Sequence, residues 1–194
     1  MNNEADIRPS TVSSRARAVL RKPRFYVLAL LIAASIGGWK IYVAHLQDEM
    51  LAHFTPVAAE FAPFELKDAY GHAVSLSAKR GKPVLLYFFA TWHEESVASW
   101  EALARFGARE RGRINVIGIA LDESDLRIRR FLGQQPADFP VGLDHNRVTA
   151  DAWEVNTLPT AYVLDEKLKA RLVAVESIQW DRLSANALLK KLRQ

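Results

Sequence analysis

The sequence predicts an α/β sandwich preceded by one transmembrane helix, and three observations carry that expectation. A continuous apolar run at 84–89 and strand-like, largely apolar stretches at 114–121, 161–164 and 172–175 alternate with stretches of helical periodicity, the pattern of a sheet covered by helices. Near the N-terminus, residues 25–39 contain no charge, and the apolar run resumes after Lys40 as far as Ala44. Twenty residues of this kind match the ~30 Å of hydrocarbon that an α-helix must cross. Finally, the first buried run is preceded by two short alternating stretches that read as a β-hairpin.

The chain has 194 residues, room for one ordinary domain plus an anchor or tail. It contains no Cys, which excludes a disulfide scaffold, a cysteine nucleophile and an intrinsic dithiol centre. The net charge of +4 is confined to the N-terminal tail. Residues 1–24 hold six basic side chains (Arg8, Arg15, Arg17, Arg21, Lys22, Arg24) and two acidic ones (Glu4, Asp6), and removing them from 26 and 22 leaves 20 of each sign. A formally neutral remainder argues against a nucleic-acid partner.

The expected organisation is a basic cytoplasmic tail over 1–24, a transmembrane anchor over 25–46, a stem over 47–59 and a folded domain over 60–194. Tyr26, Trp39 and Tyr42 sit near the ends of the apolar run, where amphipathic rings favour the interface, and Lys40 is close enough to one end to snorkel. A cleaved signal peptide fits less well, because the leader is long and no clean Ala-x-Ala site follows. The basic cluster ahead of the apolar run keeps the N-terminus in the cytoplasm. The domain then faces the other side, which in a Gram-negative bacterium is the periplasm. The stem is expected to continue the anchor helix and break at Pro56.

Within the domain, Phe64 and Leu66, then Val74 and Leu76, alternate with polar residues around a turn-like Asp68-Ala69-Tyr70-Gly71. Ser77 is placed to cap a short turn ending at Gly81. The run 84–89 suits a strand buried on both faces. Thr91 and Glu94 form a Thr-x-x-Glu capping box for the next helix, and Glu94 and Glu95 favour the positive end of its dipole. Val97, Trp100, Leu103, Ala104 and Phe106 mark its inner face, and Gly107 or Gly112 ends it. A strand at 114–122, a helix at 124–132 and a short strand at 141–144 follow. Further on come a helix at 144–153, two strands at 161–165 and 172–175, and a closing helix at 180–192.

These elements resemble membrane-anchored thioredoxin-like thiol–disulfide oxidoreductases of the TlpA and ResA type. The likeness rests on the 64–76 hairpin, on Gly81-Lys82-Pro83-Val84, on Phe89-Ala90-Thr91-Trp92 before a helix, and on Val155-Asn156-Thr157-Leu158-Pro159-Thr160. It implies a three-layer α/β/α thioredoxin-like sandwich with an added N-terminal β-hairpin. It also implies a cis Leu158–Pro159 peptide beside His93, in a loop that offers backbone groups to an extended substrate segment. Where that family carries its two reactive cysteines, this chain has His93 and Ser96. Thiol–disulfide exchange needs a thiolate, so redox turnover by this chain alone is not expected.

What remains is a groove for a peptide or partner protein, lined by Trp92, His93, Thr157, Leu158, Pro159 and Thr160, with no catalytic residue, metal or cofactor implied. A binding contact, a metal ligand (with Glu94, Glu95, His72 or His145) and a general base stay open for His93, although no triad or His-x-x-x-His spacing supports the last two. Trp92 serves either as a partner contact or as packing over the helix start. The alternative function is a part in extracytoplasmic thiol–disulfide or cytochrome-maturation chemistry that relies on a partner's cysteines. The basic residues Arg127, Arg129 and Arg130, and Lys190, Lys191 and Arg193, read as solvated faces.

Overall fold

The computed structural model describes residues 23–121, 124–176 and 178–193, without the side chains of 23–25, 47, 48 and 50. The basic tail read over 1–24 lies almost wholly outside them. Helix α1 (Pro23–Ala52) includes a stretch, Tyr26–Leu46, long and apolar enough to cross a membrane.

From His45 onward the chain forms one unit built on a single sheet. In chain order it contains β1 (Thr55–Ala59), β2 (Glu65–Lys67), β3 (Ala73–Ser75), β4 (Val84–Phe89), α2 (Glu94–Arg109) and β5 (Asn115–Ala120). Then follow α3 (Asp125–Gln134), β6 (Val141–Leu143), α4 (Val148–Ala152), β7 (Thr160–Leu164), β8 (Ala170–Val175) and α5 (Ala185–Lys191). The eight strands are ordered β1-β8-β7-β4-β5-β6-β2-β3, with β4 parallel to β5 and antiparallel to β7.

Every residue of β4 is buried, and its period of two divides them between the faces. Leu85, Tyr87 and Phe89 pack with Trp100, Phe106 and Trp180, while Leu86 and Phe88 pack with Trp153 and Tyr162. Two apolar layers thus sandwich the central strands, as the run 84–89 implied.

The differences from expectation are local. The segment read as a stem holds Phe54, buried against Trp180, and then edge strand β1, which pairs with β8. Pro56 is tolerated in β1 because an edge strand leaves one row of N–H groups unpaired. Lys191 closes the junction by donating from Nζ to the carbonyls of Leu51 at 2.6 Å and Phe54 at 2.7 Å. Gly107 lies inside α2 rather than at its end, at a position where a Cβ would come within 2.8 Å of Phe139 Cδ1. Gly112, with φ +88, makes the turn beyond the helix. The inner face of α2 is Ser96, Ser99, Trp100, Leu103 and Phe106, with Val97 and Ala104 only half-buried. The helix expected over 144–153 shortens to α4, because Asp144 accepts from the backbone N–H groups of Thr149 (3.2 Å) and Ala150 (2.7 Å) and fixes its start. The closing helix divides into a 3₁₀ turn at Trp180–Arg182 and α5, with Ser184 Oγ accepting from Ala187 N.

Candidate functional site

The β4–α2 junction and the loop before β7 come together through sheet register. Phe88, near the end of β4, pairs with Thr160 at the start of β7, so the segments 90–93 and 157–159 leave neighbouring strands at the same end of the sheet. Trp92, His93 and Ser96 come from the first segment and Thr157, Leu158, Pro159 and Thr160 from the second, so the register gathers all seven expected positions at one end.

The junction is built differently from a Thr91 cap. His93 N donates to Ala90 O at 3.2 Å, closing a turn over 90–93, and His93 itself is the N-cap, in extended conformation and with no side-chain cap bond. The helix therefore starts from His93, two residues beyond the Thr91 expected as its cap. Glu94 and Glu95 do occupy the first turn, where the helix dipole favours them. Beneath that turn, Tyr87 of β4 reaches up. Its hydroxyl lies 2.5 Å from Ser99 Oγ, with one of the two donating, and 3.3 Å from Ser96 O, while Ser99 Oγ lies 3.0 Å from Glu95 O. Burial pushes the Tyr87 phenol well above its ordinary pKa, with the Ser99 contact opposing that shift. Strand and helix start are thus locked together by polar contacts that need no sulfur.

His93 is half-buried, its side chain 26% exposed. Nδ1 lies 3.3 Å from Ser96 Oγ, and Nε2 lies 3.5 Å from Glu95 Oε2. A Ser–His–Glu sequence of contacts is present, yet Ser96 is 0% exposed, so its hydroxyl cannot meet a substrate atom as a nucleophile. His72 and His145, considered as co-ligands, are each drawn to a carboxylate elsewhere: Asp68 at 2.9 Å and Asp125 at 2.9 Å. Among the described residues there is no group of three or more His, Asp or Glu placed to hold a metal.

On the opposing loop, the Leu158–Pro159 peptide is cis. Thr160 Oγ1 donates to Thr157 O at 2.6 Å, and Pro159 O accepts from Glu176 N at 2.9 Å, so both neighbours hold the loop in shape. Trp92 is 59% exposed beside His93, with ring centroids 6.0 Å apart. Sequence reasoning missed the Tyr87–Ser99 support. It had a signal in the i, i+3 spacing of Ser96 and Ser99 on an otherwise apolar helix face.

A central mixed sheet between helical layers, with a strand–turn–helix junction facing a cis-proline loop, defines a thioredoxin-like protein. Residues 57–173 match the AhpC/TSA family, and the chain belongs to that family. Among its relatives are the thiol-disulfide oxidoreductase ResA of Bacillus anthracis, 27% identical over 146 residues (73% of this chain, 81% of the relative), and the thioredoxin-like protein YneN of Bacillus subtilis, 27% identical over 143 residues (72% and 82%). A solved thiol:disulfide interchange protein of the DsbE kind from Chlorobium tepidum superposes with a TM-score of 0.62 at 28% identity, covering 70% of this chain and 96% of its own. This chain is a member without the Cys-x-x-Cys, since it has no cysteine at all.

Proposed function

We propose that this protein is a membrane-anchored, redox-inactive thioredoxin-like domain that binds an extended peptide segment or partner protein outside the cytoplasmic membrane. One observation carries the reading: the exposed Trp92 and the cis-Pro159 loop flank a junction whose two thiol positions hold His93 and Ser96. Backbone-lined grooves of this kind take extended segments by strand-like pairing. Without a thiolate the groove has no electron pair to pass to a disulfide, so binding is what it retains. Helix α1 anchors the chain as a single pass, and the basic residues before it hold the N-terminus in the cytoplasm of a bacterial inner membrane, with 60–194 in the periplasm.

The test places a photo-crosslinking residue at Trp92 or Thr157 in the full chain in native membranes, with exposed Leu126 of α3 as control. Products specific to 92 and 157, and lost when Pro159 is replaced by Ala, are expected. The same products from position 126, or none from the groove, would sink the reading.

A second reading is favoured by the relatives named as thiol-disulfide oxidoreductases. In it, the chain assists extracytoplasmic thiol–disulfide or cytochrome-maturation chemistry, and a partner supplies the cysteines. Insulin reduction separates the two. The chain alone is expected to be inactive under both, and addition of the crosslinked partner restores turnover only under the second.

A further inference from the structure

At the end of the sheet away from Trp92 and Pro159, the chain builds a second concavity of about 610 Å³. It lies between the loop entering β4, the turn from β7 to β8 and the C-terminal helix α5. Its size is within the ~300–1,000 Å³ of small-molecule sites. Six cations line it (Lys82, Arg113, Lys167, Lys169, Arg171 and Arg193) against two carboxylates, Asp165 and Glu166. Beyond residue 24 the chain carries equal numbers of basic and acidic side chains, so this formal excess of four is a local segregation of charge.

Three of the six are committed. Lys169 pairs with Glu60, Arg113 with Glu110 at 3.2 Å and Arg171 more loosely with Asp165 at 3.8 Å. Among the described residues, Lys82, Lys167 and Arg193 make no ion pair, and they come from three separate segments that converge on one cavity. The backbone that carries them is fixed in advance. Asp165 Oδ1 accepts from the N–H groups of Lys167 and Lys169, Gly81 N donates to Glu166 O at 2.9 Å, and Arg80 donates to Lys167 O at 3.2 Å. Pro83, Leu189 and Leu192 add an apolar flank.

We infer that this cavity is a binding site for a phosphate-bearing anion. Cations from several directions suit a group whose charge is spread over several oxygens, and the Arg193 guanidinium fork matches phosphate geometry. The phosphate belongs either to a soluble compound or to a phospholipid headgroup, and the two sources are separable.

The absence of native cysteine makes the test direct. Asn186→Cys, on the exposed face of α5 beside Leu189 and Arg193, accepts a single environment-sensitive dye in the full chain. The labelled protein is placed in phosphatidylcholine nanodiscs and titrated with pyrophosphate, then compared with nanodiscs containing phosphatidylglycerol. A saturable dye response is expected. Lys82→Glu/Lys167→Glu weakens it about tenfold, because each reversal turns a near attraction into a repulsion. Lys82→Gln/Lys167→Gln falls between, and Arg130→Glu on α3 leaves it unchanged. Raising salt from 0.15 to 1 M weakens it as the screening length falls from ~8 to ~3 Å. A response to pyrophosphate assigns the soluble source, and one to phosphatidylglycerol alone assigns the headgroup. Silence in both, or a response indifferent to both lysine pairs in variants that unfold at the wild-type temperature, overturns the inference.

Discussion

Replacing Trp92 by Ala separates a rim aromatic from one that packs the helix start. Trp92 is 59% exposed, whereas Trp100, Trp153 and Trp180 are buried. A tryptophan presents up to about 250 Å², so roughly 100 Å² of Trp92 is covered in the fold and roughly 150 Å² faces outward. At about 25 cal/mol per Å², the covered part is worth at most about 2.5 kcal/mol, and less once the compact unfolded chain is counted. Trp92→Ala should therefore cost about 1 kcal/mol, or about 2–4 °C in Tm for a chain of this size. Trp100→Ala empties a closed core position and should cost about 3–5 kcal/mol. If half of the outward surface is buried by a partner, about 2 kcal/mol of affinity goes with it, a factor of roughly 30. The assay is thermal unfolding of both variants in detergent by near-ultraviolet circular dichroism, with iodide quenching of tryptophan emission. In a Trp39→Phe background, which removes the other exposed tryptophan, the protein should show a quenchable component that Trp92→Phe removes. A Tm loss for Trp92→Ala equal to that of Trp100→Ala, with no quenchable component, would refute the reasoning and make Trp92 a packing residue.

Other expectations follow from named contacts. Gly107→Ala should destabilise by about 1 kcal/mol despite its better helix propensity, because the new Cβ meets Phe139 at 2.8 Å and that ring is itself held against Trp100. Gly133→Ala meets nothing within 4 Å and should stabilise by about 0.5–1 kcal/mol, so urea unfolding of the pair must give opposite signs. His93→Cys/Ser96→Cys should gain insulin-reducing turnover that wild type lacks, since a thiol at the helix N-terminus has its thiolate favoured. A folded but silent double variant would mean that more than the sulfur is missing. Tyr87 is held neutral by burial, so its contribution is complete below its ordinary pKa of 10.0 and is lost as pH rises above it, where only the unfolded chain ionises. Tyr87→Phe should cost about 1 kcal/mol at neutral pH and flatten that alkaline decline in stability, measured by urea titration from pH 8 to 11.

Much of the fold was legible because period and burial are local properties. The run 84–89, the 64–76 hairpin and the run 161–164 emerge as β4, β2–β3 and β7, since a strand covered on both faces reads as an unbroken apolar run and a half-exposed one as an alternating run wherever they stand. Capping was less legible. Thr91 and Glu94 have the right spacing, but the turn closed by His93 N on Ala90 O delays the helix by two residues, and no spacing rule sees that bond. The edge strand β1 was missed for a related reason. Its exposed residues carry little pattern, and what makes Thr55–Ala59 a strand is the free edge of β8.

The sequence by itself determined the chemistry that is unavailable: with no cysteine, and with His93 and Ser96 at the junction, no arrangement of the chain supplies a thiolate. It also determined that an apolar helix precedes an α/β domain. Only the tertiary structure decided what those positions became. Ser96 is closed off beneath the helix start while Trp92 stands out from it, and the Phe88–Thr160 register brings the Pro159 loop to the same end of the sheet. It also gathered Lys82, Lys167 and Arg193, far apart in the chain, around one cavity. Composition fixes which groups exist, but exposure and convergence depend on strand pairing between distant segments, which a local pattern does not encode.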